Sequence, residues 1–241
     1  MAPASLAPNA LDNLQGFLLI APMLLLSFVA HEYAHAWTAV RAGDPTPELE
    51  GRLTWNPLRH IDPMMTVVIP VVLWFGSNGT FVFGGAKPVN VDPGKFKHLI
   101  RDDITVSLAG VTANVLLAAC LAVLVVVLGL VGRVVPDITS SIALIQRMFL
   151  QGITINLFLC AFNLIPVPPL DGSHVAKYLL PAAWVPRYQR IGFVGFLVLV
   201  LFLRTGPGQS FLTAWLTPTT LVESAFVGVA RDFVFATPPA T

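Results

Sequence analysis

FVAHEYAHAWTAV, residues 28–40, decides how the chain is read. It places His31, Glu32 and His35 inside one of the most apolar parts of the sequence. Ionisable groups are costly in hydrocarbon, so an intramembrane cluster of them marks a functional site. His31 and His35 are four residues apart, which on a helix puts them on one face, a turn apart. Both imidazoles can then reach one metal ion. Glu32 follows the first histidine and points near that ion without binding it. This is the H-E-x-x-H arrangement, two zinc ligands and a general base.

The composition makes the cluster intramembrane. Of 241 residues, 55% are hydrophobic and 11% charged, against about 25% charged in soluble domains. The chain therefore reads as a polytopic membrane protein whose surroundings are the lipid bilayer. A net charge of +1 without a basic run leaves no footprint for nucleic acid. Cys120 and Cys160 both sit in apolar stretches and read as small buried hydrophobes rather than a disulfide framework. Residues 1–16 contain no Lys or Arg, so no secretory leader is expected and the apolar stretch that follows stays in the mature protein.

Working outward, the first helix is expected over 14–42, stopped by Arg41 and Gly43. Residues 44–62 are polar and Pro-rich, a loop with a short strand at GRLTW. MMTVVIPVVLWFG, 64–76, is apolar but short and contains Pro70, which suits a re-entrant or tilted piece. Residues 77–94 alternate glycines with β-branched and aromatic residues and read as an irregular strand or loop. Long apolar helices are expected over 103–132 and 141–164, and a further apolar segment over 191–203. The tail from Gln209 to Ala236 is mixed: a span, a hairpin arm or an interfacial helix. The expected fold is an all-α transmembrane helix bundle with a small re-entrant β/loop element. It forms one membrane-embedded domain over 1–241, with its core at 14–181 and C-terminal helices at 190–236.

A catalytic zinc usually has three protein ligands and one open position, so a third ligand must come from elsewhere. Most remaining acids lie in loops or tails and read as solvated carboxylates. Asp171 differs. It closes an apolar run inside P-V-P-P-L-D-G, where prolines remove backbone donors and Gly172 lets the chain turn. Such a frame fixes where one carboxylate points, although a helix cap is the plainer reading. Asn163 precedes the frame, and Asn114 lies four residues after Gly110. A buried amide can bond substrate backbone or an oxyanion; for Asn114, a bond between helices is the alternative.

These residues resemble the site-2 protease family of intramembrane zinc metalloproteases. The resemblance rests on HEYAH (31–35), GRLTWNPLRHIDP (51–63), FGGAKPVNV (83–91), the Gly110–Asn114 spacing and NLIPVPPLDGSH (163–174). The chain looks like the small subgroup without an inserted PDZ or CBS domain. The resemblance implies one zinc ion held by His31, His35 and Asp171, with Glu32 as base and Asn163 in contact with substrate. Val111 departs from the family pattern, which often has Pro after the glycine.

Topology follows separately. His31 and His35 lie near the end of one helix and Asp171 just past the end of another, so both helices must run in the same direction. Segment 64–76 must then enter and return on one side. Ten lysines and arginines would share the side of the metal site, with Arg133 opposite, which makes that side cytoplasmic. The expected activity is a zinc endopeptidase of the plasma membrane, cutting in or near transmembrane segments of membrane proteins. A metal transporter or sensor could use the same ligands, and a CaaX-type zinc protease would take Glu223 instead of Asp171. Residues 80–91 are expected to offer an edge strand to unwound substrate, a plain connecting loop being the alternative.

Overall fold

The computed structural model describes residues 10–80 and 82–235. Eight α-helices carry the fold, and no strand occurs among the described residues. Helix α1 (Ala10–Ala42) ends where Gly43 takes φ +114°; its N–H and that of Asp44 return to the carbonyls of Ala39 and Val40. That left-handed turn is open to glycine and closes the last carbonyls of the helix. Short α2 (Thr46–Leu49) follows, then a π-helical turn (Pro63–Val68) that runs into α3 (Ile69–Gly76). Long α4 (Leu99–Val134) and α5 (Thr139–Asn163) form a hairpin. Short α6 (Asp171–Ala176), bent α7 (Val185–Leu203) and α8 (Gly206–Ala230) complete the chain. Among the described residues three helices are long and apolar enough to cross a membrane, α1, α4 and α5 with the turn before it, and bent α7 makes a fourth if its two halves count as one span.

These three pack through small residues. Ala36, Ala39 and Ala118 have no exposed surface, and a side chain at Gly152 of α5 would collide with Leu121 of α4 and Met23 of α1. Lipid offers no hydrophobic drive for helices to associate, so close backbone approach and polar bonds must hold them. The polar bonds are present: fully buried Asn114 bonds Asn156, and fully buried Gln146 bonds Val125 O. Large apolar side chains instead face outward, among them Val123, Leu124, Val127 and Leu130 of α4.

Contacts fix the directions. His35 pairs with Val106 and His31 with Asn114, so α1 and α4 are antiparallel. Asn114 pairs with Asn156 and Gln146 with Val125, so α4 and α5 are antiparallel too. Helices α1 and α5 therefore run the same way, as the positions of the histidines and Asp171 demand. The tail resolves as α8, antiparallel to α5: Trp215 bonds Ala161 and Glu223 bonds Thr154.

The 63–76 segment enters beside the metal-ligand end of α1 and reaches its far end, where the Trp74 indole donates to Asn13 O at 2.8 Å. The chain then returns to Gly84, which abuts Pro70 and Met65. It is a re-entrant excursion, as its length suggests. Residues 82–91 are an irregular loop, so no strand forms there; Phe81 lies outside the described residues. GRLTW is likewise turn and bend rather than strand, since Arg52 turns inward to bond carbonyls instead of extending. Two other expectations change. Cys120 is exposed on the outer face of α4, while Cys160 is buried. Arg133 does not stand alone at the far end: α8 brings Arg231 there, where Arg133 bonds Asp232 O.

Candidate metal centre and active site

The structure brings His31, His35 and Asp171 together, with one ligand atom from each within 4.8 Å of the others. The two imidazole Nε2 atoms are 3.0 Å apart. Asp171 Oδ2 lies 3.2 Å from one and 3.4 Å from the other. The helical repeat of α1 supplies the histidine pair. The Pro166–Leu170 stretch and Gly172 supply Asp171: a side chain at Gly172 would strike the carbonyls of Leu164 and Ile165, so α6 sits tight against the end of α5.

Hydrogen bonds behind the ligands set their protonation. Gly152 O can only accept, so Asn156 presents its NH2 to it, at 2.8 Å. Asn156 Oδ1 then accepts from Asn114 Nδ2 at 3.0 Å, which turns Asn114 Oδ1 toward His31 Nδ1 at 2.7 Å. The proton of His31 is therefore on Nδ1. His35 Nδ1 faces Val106 O at 2.7 Å and carries its proton for the same reason. Both Nε2 atoms are left with lone pairs that point at each other and at a carboxylate oxygen. That oxygen is buried and has no hydrogen-bond partner. Three acceptors converging without a donor repel one another; a cation removes the repulsion. Two imidazoles and a carboxylate with an open fourth position suit catalytic zinc.

Helix α4 donates no ligand but makes room for the ion. A methyl group at Gly110 would lie 2.6 Å from His31 Nε2 and collide with His35 Nε2. Asn114 is fully buried and bonded to protein at both ends of its amide. It does not line the cleft, so the substrate contact expected of it gives way to the orientation of His31. The alternative reading, a bond between helices, is the one observed: Asn114 Nδ2 donates to Asn156 Oδ1 of α5.

A cavity of about 410 Å³ opens over the centre, lined by Glu32, Met65, Phe83–Ala86, Asn163, Phe162 and Phe196 among others. Its wall is mostly apolar. Glu32 Oε2 accepts the Val89 N–H at 2.8 Å. The loop carrying Val89 is held by buried Arg52, which bonds the carbonyls of Arg59, Lys87 and Pro88. Sequence reasoning placed Arg52 in the short strand of a polar, Pro-rich loop and counted it among the ten same-side charges, with no role at the site. Asn163 lines the cleft and uses one N–H on Leu159 O of its own helix. Glu223 is bonded to Thr154 and does not reach the cleft.

Comparison with known proteins gives the family. The family model described as "Peptidase family M50" matches residues 19–203. The chain is 36% identical over 179 residues to "Putative zinc metalloprotease YwhC" of Bacillus subtilis, covering 73% of this chain and 77% of that one. It is 33% identical over 195 residues to "Putative zinc metalloprotease Rip2" of Mycolicibacterium smegmatis, covering 78% and 68%. A third relative, "Putative zinc metalloprotease MJ0611" of Methanocaldococcus jannaschii, is 25% identical over 181 residues. No solved structure matches. With its histidine pair, glutamate and aspartate in one cleft and the family match spanning 185 residues from 19 to 203, the chain belongs to peptidase family M50, the site-2 protease family.

Proposed function

We propose that the protein is a zinc-dependent intramembrane endopeptidase that hydrolyses peptide bonds in or near transmembrane segments of membrane proteins. The observation that carries this reading is the convergence of His31 Nε2, His35 Nε2 and Asp171 Oδ2 beside Glu32, among membrane-spanning helices. One zinc ion there supplies Lewis acidity toward a carbonyl and lowers the pKa of water to about 7. Glu32 takes the proton of the attacking water and returns it to the leaving amine. The Val89 N–H keeps the Glu32 carboxylate aimed along the cleft. Asn163, which lines the cleft, holds substrate backbone with its remaining N–H in this reading.

An unwound substrate needs partners for its backbone, because an unpaired group costs several kcal/mol in a dry site. The 82–91 loop supports such pairing. Gly85 and Lys87 donate their N–H groups to Met65 O and His60 O, which holds the loop extended along the cleft that Phe83–Ala86, Pro88 and Val89 line. The surplus of Lys and Arg at the metal end of the bundle favours a cleft open to the cytoplasm of a plasma-membrane protein. A transporter is disfavoured because the described residues hold one candidate metal cluster and no second along a path.

Membrane-fraction proteomics of cells carrying the native protein or Glu32→Gln tests the reading. Fragments ending in or beside transmembrane segments should be present with the native chain and lost with the variant, whose zinc content stays intact. Identical fragments in both would overturn it.

A further inference from the structure

The third ligand, Asp171, stands on a helix of only six residues. Its N-terminal side is braced by the proline frame. What braces its C-terminal side is a single carboxylate on another helix. Asp103 of α4 is 2% exposed. Its Oδ2 is in an ion pair with Lys177 Nζ and accepts from the Tyr178 hydroxyl at 2.7 Å. Its Oδ1 lies 3.7 Å from His174 Nδ1. All three partners come from the seven residues after Asp171. Lys177 is itself 9% exposed, so its ammonium has largely left water for this ion pair and the face of the Tyr178 ring.

Asp103 also belongs to a stripe. Residues 103, 106, 110 and 114 follow helical spacing along one face of α4. Val106 O holds His35, Gly110 clears the ion's position, and Asn114 holds His31. Each of the last three acts on the centre without ligating it. Asp103 completes the set by acting on the remaining ligand.

We infer that Asp103 is a positioning residue for the metal centre: by gathering His174, Lys177 and Tyr178 onto α4 it holds α6 where Asp171 reaches the ion. The inference rests on Asp171 being a zinc ligand. Partners that orient metal ligands typically contribute about 10- to 100-fold in metal affinity.

The test is a double-mutant cycle read by zinc titration of the purified full chain, without substrate. Asp103→Asn should weaken zinc binding by about 10- to 100-fold in the native background. In an Asp171→Ala background it should have almost no further effect, because the ligand it positions is gone. Equal losses in both backgrounds would mean a general loosening of the bundle and would overturn the inference, as would native affinity in the single variant. Asp103→Leu with Lys177→Met removes the ion pair without stranding a buried charge, and repeats the cycle if Asp103→Asn does not fold. Zinc affinity unchanged by Asp171→Ala alone would instead overturn the ligand assignment.

Discussion

At the scale of single residues, the most constrained position is Gly110. Alanine is a better helix former than glycine by about 1 kcal/mol, so Gly110→Ala should keep α4 intact or firmer. Its methyl group, however, would stand 2.6 Å from His31 Nε2. Zinc per chain should fall to near zero with unchanged circular dichroism; full zinc occupancy would show that α4 can move aside. Outside the membrane, Asp44 is fully buried. Burial pushes its pKa up, but bonds from the Asp92 N–H and from Thr46, with Lys95 nearby, outweigh it and hold the carboxyl below its ordinary 3.8. A lowered folded-state pKa adds stability that is present above the unfolded value and lost as pH falls through the folded one. Asp44→Asn should therefore melt lower than the native protein at pH 7, and the gap should shrink below pH 3.8. The histidine pair was legible because a fixed spacing on one helix is all that its geometry needs; Asp171 stood out only through its proline frame. Asp44 and Asp103 were not, since a carboxylate in a loop or at a helix start reads as solvated until its buried partners are seen.

At the scale of elements, the 82–91 loop joins catalysis to support. Arg52 holds the Lys87 and Pro88 carbonyls, and the next residue holds Glu32. Arg52→Met keeps the stem but removes the donors. It should lower kcat by about 10-fold or more, the scale on which misplacing a catalytic group acts, and leave zinc content unchanged. A loss confined to KM would assign Arg52 to substrate binding instead. The re-entrant shape of 63–76 was legible from length and from Pro70. The absence of a strand at 82–91 was not: β-branched and aromatic residues favour a strand only where a partner strand exists, and here Met65 O of the π-helical turn and His60 O before it accept from the loop instead.

At the scale of the whole molecule, helix direction fixes which loops share a side. Helix α8 ends beside Gly129 and Arg133, so residues 137 and 232 lie together, away from Asn90. With Cys120 and Cys160 replaced, single cysteines at 137 and 232 should react with an impermeant maleimide on intact cells. A cysteine at 90 should react only after lysis. The reverse pattern would invert the proposed orientation. Class and direction were readable from hydropathy and from the need to bring Asp171 to the histidines. The course of α8 was not, because its mixed composition fits lipid, protein and interface equally.

The fit of α4 against the ligands has a practical corollary. The ion's site is the gap between α1, α4 and the start of α6, and the missing side chain of Gly110 keeps that gap open. Coordination distance is therefore helix spacing under another name, and the centre serves as a caliper of the bundle. Solvents that spread helices without unwinding them should strip metal first: transfer from a long-chain to a short-chain detergent is expected to lower bound zinc while helicity persists, and return to lipid with added zinc should restore both fit and occupancy.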